Sequence, residues 1–469
     1  MEKLEETHMQ QKRGRRLVLI PLPFQGHINP MFQLANILHS RGFSITIIHT
    51  HFNSPNPSNY PHFTFEPIAD GLSGSEAETT DLVALVATLN INCVTPLRDC
   101  LARLLSNNSE EPISCIISDA GFHFTQSVAD SLKLPRMVLR TGCVLTFVAF
   151  AAYPLLLQKG YLPIQVAHYH LPCINFQDSR LEEPVPELAP LKVKDIPVSN
   201  TRDPEILYQL VASVIKETKS CSGLIWNSFE DLEESALTTI RKQYPAPIFP
   251  IGPLHKCSPA STSSWLIEDQ TCLAWLDTQA PRSVIYVSFG SIASMDETEF
   301  VETAWGLVNS MQPFLWVVRP GSIRGSKWIE QLPDGFLEKI KGRGHIVKWA
   351  PQQEVLAHPA VGGFWSHCGW NSTLESICEG VPMLCRPWFG DQMMNARYIC
   401  DDWRVGVQME NGLKRGEIER AIRRLMVERE GEELRERIIT LEEKMEICLK
   451  KGGSSYECLG NLVSYILSF

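Results

Sequence analysis

Apolar residues along the chain gather in short runs, and longer amphipathic stretches separate those runs. The runs at 16–22 (RLVLIPL), 44–49, 113–118, 136–139 and 223–226 are almost continuously apolar, as strands buried on both faces must be. Between them, apolar residues recur at helical spacing over 30–40, 81–105, 122–132, 144–158, 204–219 and 232–243. Strands alternating with helices predict a parallel sheet covered on both sides. A second series follows, with strands at 283–289, 314–318, 345–347, 361–366, 383–385 and 405–408. Its helices are expected at 371–380, 415–428 and 432–450, and Gly452-Gly453-Ser454 sets off a last one at 455–466. Pro245, Pro247, Pro250, Pro253 and Pro259, with SPASTSS, mark a linker between the series. The expected division is 1–245, a linker at 246–265, a second domain at 266–452 and a terminal helix at 453–469. Residues 160–200 are Pro-rich without periodicity, and so long a loop within a compact domain is usually functional.

Composition narrows the class. The 469 residues suit two or three domains, and 44% hydrophobic with 20% charged content fits a globular protein with large cores. A net charge of −10 argues against a nucleic-acid partner. The basic cluster at 12–16 is read as a solvated tail. The 14 cysteines are scattered, with no C-x-x-C pair and no zinc spacing, so reduced thiols, no metal and a cytoplasmic location are expected. No signal peptide is evident. The longest charge-free stretch, 141–158, contains Pro154 and small polar residues, so a buried helix is expected there and no membrane span. The glycosylation patterns at Asn107 and Asn371 are taken as chance matches.

The stretch 349–392, WAPQQEVLAHPAVGGFWSHCGWNSTLESICEGVPMLCRPWFGDQ, carries the densest chemistry. It predicts a strand, a His-Cys-Gly turn and a helix starting near Asn371. The N–H groups at such a helix start favour a phosphate. His367, Asn371 and Ser372 add donors there. Glu375, on the same helix face, can accept from sugar hydroxyls, and Trp349 offers a flat face to a base. Taken singly, Ser372-x-x-Glu375 is equally a capping box and Trp349 equally a core residue.

Together these residues resemble the secondary-product glycosyltransferase box of plant family 1 UDP-sugar glycosyltransferases. The match runs from Trp349, Pro351 and Gln352 through His367, Cys368, Gly369, Trp370, Asn371, Ser372 and Glu375 to Asp391 and Gln392, with no departure at the fixed positions. FQGHINP, SNYPHFTF and KGGSSYE look most like the branch acting on terpenoids, cytokinins and small aromatic acids. The resemblance implies the GT-B fold, an α/β arrangement of two doubly wound Rossmann-like domains facing across a cleft, with the last helix returning to the first domain.

Glycosyl transfer to a hydroxyl needs a base and a site for the leaving diphosphate. His27 follows the first strand in PFQGHINP, and Asp119 follows the run ISCIIS. By themselves, such a His is often structural and such an Asp is often an N-cap. The resemblance aligns them with the family's catalytic dyad. It further implies that Trp349 stacks on uracil, with Ala350 reading its edge, while Gln352 and Glu375 hold the uridine. His367, Trp370, Asn371, Ser372 and Ser291 would hold the diphosphate, and Asp391, Gln392 and Thr141 the sugar. The terminal Gln392 favours glucose. The implied reaction is inverting single displacement without cofactor or metal, with UDP-glucose as co-substrate.

The acceptor is expected to be small and lipophilic, lined by Phe24, Leu85, Phe122, Gly142, Leu145, Phe147 and Leu207, with Gly390 leaving room. A monomer is expected. The run RPGSIRGSK lacks phosphate-loop spacing, and no G-x-S-x-G elbow follows a strand, which sets aside a nucleotide-loop enzyme and a serine hydrolase.

Overall fold

A computed structural model of the chain describes residues 15–77, 79–107, 111–164, 180–199, 201–258, 266–409 and 412–469. Parts of the basic cluster, the 160–200 stretch, the linker and the first glycosylation pattern therefore lie outside the described residues. The chain divides into two compact units, one of residues 1–158, 201–265 and 447–469, the other of residues 159–200 and 266–446.

The first unit holds a seven-stranded sheet in the order β3-β2-β1-β4-β5-β6-β7. Its strands are β1 Arg16–Ile20, β2 Ser44–Thr50, β3 Thr64–Ile68, β4 Ile113–Asp119, β5 Arg136–Arg140, β6 Gly223–Trp226 and β7 Ile248–Pro250. All pairings are parallel. Side-chain alternation separates two cores. Leu17 and Leu19 of β1 join Ile45 and Ile47 on one face, while Val18 and Ile20 join Ile48 and Ile116 on the other. The terminal helix Ser454–Ile466 packs Leu459, Leu462 and Ile466 into the first of these cores.

The second unit holds a six-stranded parallel sheet in the order β10-β9-β8-β11-β12-β13. Its strands are β8 Val284–Ser288, β9 Phe314–Val317, β10 Gly344–Val347, β11 Val361–Ser366, β12 Met383–Cys385 and β13 Gly406–Gln408. In each unit the chain winds outward both ways from a central pair, β1 and β4 in one, β8 and β11 in the other. Ligands of doubly wound sheets bind beyond the strand ends at that switch point.

Several elements differ from the sequence expectation. The helix after β1 spans Gln25–Ser40, starting at an uncapped Phe24 with Pro30 inside it; a proline at the first helical position is common, but here it marked the wrong residue. The expected helix 81–105 is two, Leu82–Asn92 and Val94–Ser106, broken at Cys93. The expected helix 144–158 is likewise two, Val144–Ala151 and Tyr153–Gln158. Strand β7 and the turn Leu254–Cys257 occupy the described part of the expected linker, because prolines at a sheet edge leave no ladder bond unmade. Among the described residues no helix is long and apolar enough to cross a membrane.

Candidate active site

In the first unit, residues leaving the switch-point strands converge. His27 lies in the first turn of Gln25–Ser40, not in a free loop. Asp119 ends β4, abreast of Leu139 on β5, so Thr141 emerges just past it. His27 Nδ1 stands 2.8 Å from Asp119 Oδ2 and 3.0 Å from Thr141 Oγ1. A carboxylate only accepts, so Nδ1 carries the proton and Nε2 is the basic nitrogen. The Asp119 side chain is 1% exposed and that of His27 is 35% exposed. Asp119 Oδ1 accepts from Gly121 N–H at 2.8 Å, which fixes the carboxylate plane. Asp119 thus faces an imidazole and does not cap a helix. Thr141, expected at the sugar, has its hydroxyl at the imidazole.

Beneath this pair, Arg140 is buried over the Phe147 ring at 3.9 Å, and burial pushes its guanidinium down to about 10. Phe147 also packs on Trp226 and Tyr244. Of the side chains expected around the acceptor, Phe147, Phe122, Leu85 and Leu207 are buried core residues. Phe24, Gly142 and Leu145 are partly exposed.

In the second unit, β8 and β11 leave the sheet at the same level, Ser288 abreast of Ser366. Gly290 and the partly exposed Ser291 follow β8, and His367 follows β11. A Cβ on Gly290 or Gly369 would lie 2.7 or 2.5 Å from His367 Nε2, so only glycine fits at both places. Cys368 between them turns with φ of +64°. Burial pushes the His367 imidazole down to about 4, opposed by its hydrogen bond to the Ser288 backbone. Its Nδ1 is buried without a partner, and Nε2 lies against the two glycine positions.

The helix Trp370–Cys378 starts from Gly369 with no side-chain cap, so the capping-box alternative for Ser372 and Glu375 does not hold. Gln352 Nε2 instead donates to Ser372 Oγ at 2.9 Å and to Glu375 Oε2 at 2.7 Å. Gln353 donates to Glu375 Oε1 at 3.0 Å. Burial raises the Glu375 carboxyl, against these two amides. Trp349 is half-buried beside the buried Ala350. Asp391 precedes the short helix Gln392–Arg397, and its Oδ2 accepts from Asn395 Nδ2 at 3.3 Å. Asn395 also donates to the carbonyl of Cys368 at 2.9 Å. Gln392 Oε1 accepts from the N–H groups of Trp388 and Phe389 at 2.9 and 3.3 Å. Gly390 has φ of +64°, the reason for glycine there. Sequence reasoning missed Gln353, Asn395 and Arg397; only their place beside the box could have drawn notice.

Two Rossmann-like sheets, one ending at an imidazole–carboxylate pair and the other at a glycine-walled helix start, define a GT-B enzyme handling a nucleotide-linked substrate. The model of the family described as "UDP-glucoronosyl and UDP-glucosyl transferase" matches residues 43–443. UDP-glycosyltransferase 76B1 of Arabidopsis thaliana is 54% identical over 454 residues, 97% of this chain and 98% of that protein. UDP-glycosyltransferase 76G1 of Stevia rebaudiana is 50% identical over the full length of both. Among solved structures, Phytolacca americana UGT2 complexed with UDP-2fluoro-glucose and pterostilbene aligns with a TM-score of 0.79 and 27% identity, covering 96% of this chain and 99% of that one. The chain belongs to the plant family 1 UDP-glycosyltransferases.

Proposed function

We propose that the protein transfers glucose from UDP-glucose to a hydroxyl of a small lipophilic metabolite, with inversion at C1. The observation that carries this is the His27–Asp119 pair at the switch point of the first sheet. The acceptor oxygen attacks C1 opposite the UDP oxygen. Its proton passes to His27 Nε2, and Asp119 stabilises the imidazolium. The C1–O bond to UDP breaks, and the electron pair leaves with the diphosphate. The start of Trp370–Cys378, with His367 and Ser291, meets that charge. Trp349 stacks on the base, while Gln352 and Glu375 are pre-set by their mutual hydrogen bond to receive the ribose. Asp391 and Gln392 take the sugar hydroxyls. UDP-glucose as donor is further supported by the UDP-2fluoro-glucose in the Phytolacca americana structure, and an aromatic acceptor by its pterostilbene. Phe24, Gly142 and Leu145, partly exposed and close in sequence to His27 and Thr141, are the candidates to line such an acceptor, and Gly390 leaves room on the donor side.

The test is UDP release by purified protein with UDP-glucose against terpenoid, flavonoid and hormone acceptors, beside His27→Ala. Acceptor-dependent release is expected, reduced about 100-fold to 10,000-fold in the variant, the span of general-base catalysis. Equal release by the variant would remove His27 as base. Release only with another UDP-sugar would replace glucose.

A further inference from the structure

The described end of the Pro-rich stretch, residues 180–199, folds with the second unit, although the sequence assigned it to the first domain. It is a tight antiparallel turn, bridged at Pro184 and Lys192. Val193 N–H donates to Glu183 O, and Val185 N–H to Leu191 O, each at 2.9 Å. Val185, Val193 and Ile196 are fully buried. The turn ends at Asp195, whose Oδ2 accepts from Lys192 N–H at 2.9 Å.

That carboxylate also receives Arg397. Nε donates to Oδ2 at 2.8 Å and Nη2 to Oδ1 at 3.2 Å, a two-pronged pair. Both side chains are almost wholly buried, at 6% and 3% exposure. Arg397 Nη1 donates to Asp401 at 2.6 Å. Three residues after Asp195, Val198 O accepts from Gly390 N–H at 2.9 Å. The segment therefore grips the chain on both sides of Asp391 and Gln392, at Gly390 before them and at Arg397 after them. Between the grips, Asn395 ties the Asp391 carboxylate to the His367-Cys368 turn.

We propose that Asp195 and Arg397 are positioning residues for the hexose, holding Asp391 and Gln392 where the sugar hydroxyls bind. This rests on the assignment of Asp391 and Gln392 to the sugar. The nucleotide residues Trp349, Gln352, Ser372 and Glu375 have hydrogen bonds of their own and do not lean on this pair. The pair therefore acts on the sugar while leaving UDP binding alone. A guanidinium fork fixes orientation as well as distance, which an ammonium does not. Removing one partner of so buried a pair also strands a charge, so conservative variants are the ones to make.

The experiment uses full-length Asp195→Asn and Arg397→Lys. Asparagine keeps an acceptor for Lys192 N–H, so it carries the test where a larger change at Arg397 would not fold. Calorimetry measures UDP affinity, and steady-state kinetics measure KM and kcat with UDP-glucose and with UDP-xylose, which lacks the hydroxymethyl group. UDP affinity is expected to hold within about twofold, while KM for UDP-glucose rises about tenfold to 100-fold, the scale of an ångström's misplacement. Preference for glucose over xylose should fall with it. Equal weakening of UDP and UDP-glucose, or no change in either, overturns the proposal. Asp391→Ala separates the two assignments. If it raises KM for UDP-glucose and the Asp195 and Arg397 variants do not, the positioning role alone fails. If it leaves that KM unchanged, the sugar assignment fails, and the proposal with it.

Discussion

At the scale of single residues, two histidines at the switch points of the two sheets, one after β1 and the other after β11, are prepared for opposite tasks. His27 is partly exposed, with Nδ1 committed to a buried carboxylate. Asp119→Asn would offer that ring an N–H as readily as a carbonyl, so the tautomer with its proton on Nε2 becomes competitive. We expect kcat to fall about 100-fold or more, by the same general-base scale, with UDP-glucose affinity retained. A parallel loss of affinity would instead mean a structural role. His367 is half-buried, neutral near pH 7, and its buried Nδ1 has no partner. A diphosphate placed beside this imidazole favours its charged form. UDP-glucose binding should therefore take up protons and tighten as pH falls. The measurement is binding enthalpy in buffers of different ionisation enthalpy, with His367→Gln abolishing the uptake. No uptake by the native protein between pH 5 and 7 would mean the imidazole stays neutral. The residue types at these sites were legible in the box and in FQGHINP, because glycines and histidines recur there at set spacing. The commitment of Thr141 to His27, and of Ser372 and Glu375 to Gln352, was not. Each depends on which neighbour the sheet brings within 3 Å.

At the scale of elements, helix ends account for most differences from the expected pattern. Periodicity runs straight through Cys93 and Ala152, so it cannot separate one helix from two. The helix Val144–Ala151 starts on a carboxylate remote in sequence. Glu233 Oε2 accepts from Val144 N–H at 3.0 Å and from Ser228 Oγ at 2.6 Å, and Oε1 accepts from Leu145 N–H at 3.1 Å. Burial pushes this carboxyl up to about 7 against those three bonds. The folded protein then holds a proton between the unfolded value, 4.5, and 7 that the unfolded chain has released. Its contribution is full below 4.5 and is lost as pH rises through 7. Urea denaturation at pH 5 and pH 8 should show the loss, and Glu233→Gln should flatten it. Glu233→Ala should cost about 2 kcal/mol by stranding two buried N–H groups. A variant as stable as the native protein would show that other donors or water satisfy the helix start.

At the scale of the whole molecule, chain order and unit membership differ. Residues 447–469 complete the first unit after the second has been built. Ser455 Oγ donates to Gly252 O at 2.8 Å, Tyr465 OH donates to Ser222 O at 2.7 Å, and three apolar side chains enter the core. Exposing Leu459, Leu462 and Ile466 would cost about 5–9 kcal/mol by side-chain burial, comparable to the whole stability of a domain. Truncation after Gly453 should therefore unfold the first unit, seen as lost near-ultraviolet dichroism and protease resistance. A truncated protein with native dichroism would mean the helix is only an appendage.

The amino-acid sequence by itself determined the two strand–helix series, the apolar runs that bury them and the residue types at both switch points. Those follow from local periodicity and from glycine spacing, which need no distant partner. Tertiary structure alone decided the strand orders, the joining of 180–199 to the second unit and of 447–469 to the first, and the hydrogen bonds that set His27 and Arg397. Asp195 meets Arg397 across 202 positions and His27 meets Asp119 across 92. Nothing local selects such partners; packing does, by setting each charge or polar group where a group distant in sequence can satisfy it.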